Sequence, residues 1–224
     1  AIREVPLLTR VALVCLIGFI AVALIPFSIL SDRDRQSGLQ VRDGVMDLAA
    51  WDARRDGTIR LDGEWEFYWN QLLTPADFRH RDTAVTAYMQ VPSQWDGQVV
   101  DGRPLPAYGY ATYRMVLTNV PADGVFALKK TNIRFSSAIF VNGRKLFEDG
   151  WPSGEAAQYR PGNSPQFGLF ELDGGKAEII VHVANYDYIN AGISASLVFG
   201  EQAAMMKREL RSSIGEFSTI AILA

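Results

Sequence analysis

The chain has 224 residues, a net charge of −3 and one cysteine, Cys15. It has no basic block, which argues against a nucleic-acid partner. A lone cysteine excludes a disulfide framework, so a domain built from this chain must be held by its core alone.

In chain order, the first predicted element is a membrane helix. Val11 to Leu30 is a run of about 20 residues with no ionisable side chain but Cys15, long enough at roughly 1.5 Å per residue to cross a core of about 30 Å. A signal peptide has a shorter apolar stretch, about 7–15 residues, ending at small residues. The longer run here reads as an uncleaved anchor. Arg3 and Arg10 before it are balanced by Arg33 and Arg35 after it. The long polar stretch that follows breaks the tie, because long domains translocate largely regardless of charge. Residues 1–10 are therefore expected in the cytoplasm and residues from about 32 to 210 outside; an outer domain without cysteine needs no disulfides, which agrees with a bacterial inner-membrane protein whose main domain is periplasmic or extracellular. From Ile214 the chain turns apolar again, as the start of a second membrane segment.

Residues 31–60 read as a connector. From Leu61 the pattern changes to short alternating runs. Trp65, Phe67 and Trp69 share one face of a period-2 strand, with Glu64, Glu66 and Tyr68 on the other. Thr74-Pro75-Ala76-Asp77-Phe78 is a capped helical turn. Met89 to Pro92 is a short edge strand ended by proline, and residues 93–108 are a loop around Trp95. Tyr113, Met115 and Leu117 alternate again. Gly124–Lys129 and Ile133–Val141 are two further strands. Asn142-Gly143 between apolar arms is a type I′ hairpin turn. Gly162–Leu172, Lys176–Ala184 and Ser194–Phe199 complete the set. Glu201–Arg211 is the one good helical stretch, leading into the second apolar segment over residues 201–224. Many short strands without crossover helices predict a mainly β, antiparallel β-sandwich of the jelly-roll kind over residues 61–200.

The series Leu61-Asp62-Gly63-Glu64-Trp65, Leu73-Thr74-Pro75, Val91-Pro92-Ser93-Gln94-Trp95, Gly109-Tyr110-Ala111-Thr112-Tyr113-Arg114 and Phe140-Val141-Asn142-Gly143 resembles a known pattern. It is similar to the extracytoplasmic domain of bacterial seven-transmembrane receptors with diverse intracellular signalling modules. That resemblance implies a galactose-binding-like jelly roll, similar to the sugar-binding domain of family 2 glycoside hydrolases. It also implies a seven-helix bundle and a cytoplasmic output, such as a histidine kinase or a nucleotide cyclase, beyond this chain. The membrane helix before the domain departs from the pattern, since many members have a cleaved signal peptide there.

Catalytic signals are poor. His80 and His182 stand alone, and neither metal-ligand spacing, a nucleophile elbow nor a phosphate loop occurs. Glu64 and Glu66 lie about 7 Å apart by strand rise, a distance open to glycoside chemistry, but same-face acids on a strand read as a solvated face. No catalytic residue, metal site or cofactor is expected in these residues, and whether the full-length protein is an enzyme stays open. Binding signals are better. Sugars are held by aromatic faces that stack on C–H groups and by planar polar groups that satisfy hydroxyls. The loops carry such residues in Trp95, Tyr108, Tyr110, Trp151, Tyr159, Arg160, Asn185, Tyr186, Asp187, Tyr188 and Asn190. The candidate ligand set is Trp95, Tyr108, Tyr110, Tyr159, Arg160, Asn185 and Tyr188. Three readings follow: an outer domain that senses a small molecule or glycan, a domain that docks an envelope protein or dimerises, and an accessory domain of a membrane-anchored glycoside hydrolase.

Overall fold

The computed structural model describes residues 38–80, 83–121, 124–172, 174–210 and 212. The chain divides into two units, Ala1–Gln36 and Ser37–Ala224, and the described residues belong to the second. The apolar runs Val11–Leu30 and Ile214–Leu223 lie outside them. Among the described residues no helix is long and apolar enough to cross a membrane.

The strands are β1 (Val45–Asp47), β2 (Ile59–Arg60), β3 (Gly63–Trp69), β4 (Ala87–Val91), β5 (Val99–Val100), β6 (Arg103–Pro104), β7 (Gly109–Thr118), β8 (Val125–Lys130), β9 (Ser136–Val141), β10 (Arg144–Asp149), β11 (Gln166–Glu171), β12 (Lys176–Asn185) and β13 (Val198–Glu201). The helices are α1 (Ala53–Asp56), α2 (Pro75–His80) and α3 (residues 202–210). One sheet runs β10-β9-β12-β7-β3-β4, with β1 lying parallel on β7. The facing sheet runs β11-β8-β13-β2. This is the expected β-sandwich, antiparallel apart from β1.

The core lies between the sheets because alternation sends every second side chain inward. Trp65 and Phe67 of β3 meet Tyr113 and Met115 of β7 and Ile179, Val181 and Val183 of β12, all fully buried. The Phe67 ring centroid lies 5.0 Å from that of Tyr113, nearly edge-on. From the facing sheet Phe126 and Phe199 stack at 5.3 Å. Asn142 and Gly143 take φ of 46° and 84° and join β9 to β10 with Arg144 opposite Val141. That is the two-residue turn the sequence predicts, whose positive φ angles suit Asn and Gly.

The described part of the supposed connector, from Val41 to Arg60, belongs to the sandwich. β1 pairs with β7, β2 pairs with β13, and Val41, Met46, Leu48 and Trp51 are buried in the core. The loop 93–108 contains the small hairpin β5–β6, turned by Asp101 and Gly102 at φ of 50° and 74°. Gly109 serves a close approach: an added Cβ would lie 2.5 Å from the Trp69 ring.

The outer face of the large sheet is not the solvated face that its acids suggest. Arg114 bridges Glu66 (2.7 Å) and Glu178 (2.8 Å), and its guanidinium sits 4.9 Å from the Phe78 ring centroid of α2. Tyr68 is buried beneath Phe78, and its hydroxyl donates to Glu66 at 2.8 Å. Thr74 caps α2 by exchanging hydrogen bonds with Asp77.

His182 is buried under the same segment, and its Nε2–H donates to the Leu73 carbonyl at 2.7 Å. Burial holds the imidazole below its ordinary value of 6.5; Lys145 acts the same way, while the Leu73 bond and Asp77 oppose. The unfolded chain then binds the proton more readily than the folded one. This contribution to stability is full above the unfolded value, near pH 6.5, and is lost as pH falls from there through the folded value. Urea midpoints between pH 7.5 and 5.5 are expected to fall more steeply for the native chain than for His182→Gln. Equal slopes would place the histidine in water.

Candidate functional site

One end of the sandwich gathers the loops. β7, β9 and β11 begin there, and β3, β8, β10 and β12 end there. Residues 105–108, 131–135, 150–165 and 186–197 therefore form a common rim. Each loop is held by bonds its own sequence supplies. Asn185, buried at the end of β12, donates from Nδ2 to Ala107 O (2.9 Å) and Tyr188 O (2.7 Å), while its Oδ1 accepts from the Tyr188 N–H (3.2 Å). One amide thus ties the loop before β7 to the loop after β12, as an Asx turn does. In loop 150–165, Trp151 and Arg160 exchange backbone bonds of 2.8 and 3.2 Å. Ser153 Oγ accepts from Glu155 N at 3.0 Å and turns the chain between them.

Three tyrosines cement these loops. Tyr159 meets Tyr186 edge-on at 5.3 Å. Tyr186 donates its hydroxyl to the Gly154 carbonyl at 2.9 Å. Gly154 leaves room for the Tyr110 ring, which an added Cβ would approach to 3.1 Å. Burial first, and then the charge of Asp187, pushes the Tyr159 phenol up to about 12. Burial, then Tyr110, raises Tyr186 as well. Neither ring ionises near neutral pH, so both act as packing groups.

The predicted set therefore divides. Trp95 is 0% exposed; its Nε1–H donates to Pro106 O at 3.1 Å and its ring meets Trp69 edge-on at 5.4 Å. Tyr159 is 5% exposed, and Asn185 is buried. These three have no free face for a ligand; they hold the rim from beneath. The expectation that they are contact residues is corrected on that ground. Tyr110 is half-buried against Gly154. Tyr108 (52% exposed) and Tyr188 (47%) offer open rings, as does Trp151 (51%). Arg160 is exposed, its Nη1 donating to Tyr159 O (2.8 Å) and Ala157 O (3.2 Å).

The sequence reading missed Arg134 and Phe135, which it placed inside a strand. They lie just ahead of β9, with Arg134 exchanging backbone bonds with Gly192 at 3.0 and 3.2 Å. The Phe135 ring packs on Tyr188 at 5.1 Å, and the Arg134 guanidinium lies 5.8 Å from the Phe135 ring centroid and 5.9 Å from that of Tyr188. The signal was the pair Arg-Phe after Asn132 in a segment bounded by loops, too short to separate from a strand start.

A cavity of about 320 Å³ lies at the opposite end, lined by Trp51, Asp52, Ala53, Arg54, Pro121 and Glu201. It offers one aromatic residue where the rim offers several. Among the described residues, no group of three or more His, Cys, Asp and Glu side chains is placed to hold a metal ion.

No protein-family profile and no curated protein matches the chain. Solved structures similar to it include a GH2 beta-galacturonidase from Eisenbergiella tayi bound to galacturonate. That match has 18% identity and a TM-score of 0.45 over 64% of this chain and 24% of that one. The beta-glucuronidase of Ruminococcus gnavus matches at 15% identity and a TM-score of 0.48, over 64% of this chain and 28% of that one. The matched region thus spans about a quarter of each enzyme. Both scores fall below 0.5, and the site of this chain rests on its own geometry.

Proposed function

We propose that the rim binds a small polyhydroxylated ligand, a sugar or short glycan, and that this is the sensing domain of a bacterial membrane receptor. The carrying observation is the rim surface itself. The half-exposed rings of Tyr108, Trp151 and Tyr188 stand on the same loop cluster as the planar donors Arg134 and Arg160. Aromatic faces stack on the apolar side of a sugar ring, and fixed planar groups meet its hydroxyls. In the finer reading, the sandwich is a galactose-binding-like jelly roll, and a kinase or cyclase lies beyond the chain.

A route from the rim to the following chain supports the sensing role. Loop 150–165 runs into β11, whose Phe167 packs on Ala127, Val198 and the fully buried Met205 of α3. Lys129 binds Glu209 at 2.6 Å and Arg208 binds Thr58 at 2.9 Å, so α3 is clamped to the outer face of the smaller sheet. The sequence after α3 is apolar from Ile214. A ligand shifts such a helix only by favouring one of its arrangements, by about 1–3 kcal/mol in typical receptors.

The test is a glycan panel screened by thermal shift against the chain and against Tyr108→Ala and Tyr188→Ala. Both positions are half-exposed, so the variants are expected to keep their melting temperature within a few degrees. At least one glycan is expected to raise the melting temperature of the native chain, with each variant losing about tenfold in affinity or more, the range for a stacked ring. A hit bound equally by both variants, or a panel with no hit, overturns the reading.

A further inference from the structure

We propose that the rim selects a carboxylate-bearing sugar over its neutral counterpart, and that Arg134 is the selecting residue; this rests on the glycan reading above. The observation is the state of the Arg134 side chain. Its guanidinium lies 5.8 and 5.9 Å from the ring centroids of Phe135 and Tyr188. Its Nε–H reaches only Asn132 Oδ1, at 3.4 Å. Among the described residues no carboxylate pairs with it, whereas Arg114, Lys129 and Lys130 each have one within 3 Å. Among the described residues, its two Nη groups have no protein acceptor, and the half-exposed ring of Tyr188 lies beside them.

Three features make this guanidinium a receptor group. Its backbone is fixed by the bonds to Gly192, and Tyr188 is fixed by Asn185. The rings beneath it favour the cation and hold its plane, so less freedom is lost on binding. Its half-buried fork carries parallel N–H groups, whose geometry matches the two oxygens of a carboxylate. The same ligand can then rest an apolar ring face on Tyr188 while its acid meets Arg134. The acids of the neighbouring loops are turned elsewhere. Asp96 Oδ1 accepts from the Ala191 N–H at 3.3 Å, and Asp187 lies by the Tyr159 ring. Arg160 is the second cation of the rim, but its Nη1 is already taken by two carbonyls.

The test uses the 224-residue chain in detergent and three forms of one short oligosaccharide: the uronic acid, its methyl ester and an O-sulfated neutral form. Calorimetric titration is expected to give at least about tenfold tighter binding of the acid than of the ester, the scale of one charge-assisted pair. Arg134→Gln is expected to remove the preference, so that acid and ester bind equally. Arg134→Lys, which keeps the charge and loses the fork, is expected to recover only part of the preference. Unaltered melting temperatures show that the variants fold. Equal binding of acid and ester, with Arg134→Gln silent, overturns the selectivity and leaves the glycan reading standing. A preference that survives Arg134→Gln overturns the assignment to this residue. Tightest binding of the sulfated form overturns the carboxylate. Binding of none of the three overturns both readings.

Discussion

Replacing Trp65 by alanine is expected to destabilise the fold by about 3–5 kcal/mol. The indole sits in the middle of β3 with no exposed surface, and its Nε1–H donates to Leu61 O at 2.9 Å. Alanine would remove the ring contacts, open a cavity between the sheets and leave the Leu61 carbonyl without that donor. The surrounding strands cannot close the gap, because Phe67, Tyr113 and the β12 aliphatics already hold fixed positions on paired strands. A domain of this size is stable by about 5–15 kcal/mol, so a folded population survives and the loss is measurable. Urea unfolding read by far-ultraviolet circular dichroism gives the number. A loss below about 1 kcal/mol would contradict the core assignment.

Asp149→Ala is expected to be as costly, about 3–5 kcal/mol, by a different mechanism. Lys130 of β8 is fully buried and its Nζ donates to Asp149 Oδ2 of β10 at 2.6 Å, across the two sheets. The same oxygen accepts the Ser164 N–H at 2.7 Å and so pins the loop that carries Trp151 and Arg160. Without Asp149 the ammonium is buried and unpaired, and the loop loses its anchor. The double variant Lys130→Met/Asp149→Leu is expected to recover most of the stability, because no charge is left to desolvate. It is not expected to recover glycan affinity fully, because the Ser164 anchor stays lost. A double variant no more stable than Asp149→Ala would show that the pair itself, and not the orphaned charge, carries the effect.

Strands with strict alternation were legible in the sequence, and so was their packing. β3, β7 and β12 bury the residues their period assigns, and the Asn142-Gly143 turn sets the register of β9 and β10. The segments that escaped are those whose order comes from partners distant in sequence. β1 and β2 have three and two residues, too few to show a period, and they form only because the end of β7 beyond its pairing with β3 and the outer edge of β13 are free. Asp101-Gly102 carried the same turn signal as Asn142-Gly143 but joined strands of two residues each. Lys130 reads as a solvated lysine until β10 brings Asp149 to it. Composition pointed to the loops for a candidate site but could not sort their aromatics. Trp95 and Tyr159 carry the same chemistry as Trp151 and Tyr188, and only packing decides which ring faces water. Arg134 was hidden for the converse reason: its sequence neighbours look like strand, and its aromatic partner Tyr188 comes from another loop.

The five tryptophans of the chain allow the central claim, that the loop rim is the ligand site, to be read directly. Four of them, Trp51, Trp65, Trp69 and Trp95, are buried or packed on the core, and Trp151 alone stands half-exposed at the rim. The measurement is fluorine NMR of the chain labelled with 5-fluorotryptophan, with the Trp151 signal assigned by Trp151→Phe, titrated with a glycan found in the thermal screen. The Trp151 signal is expected to move saturably while those of Trp51 and Trp65 stay in place. Saturable movement of Trp51, beside the cavity at the far end, with Trp151 unmoved would contradict the central claim.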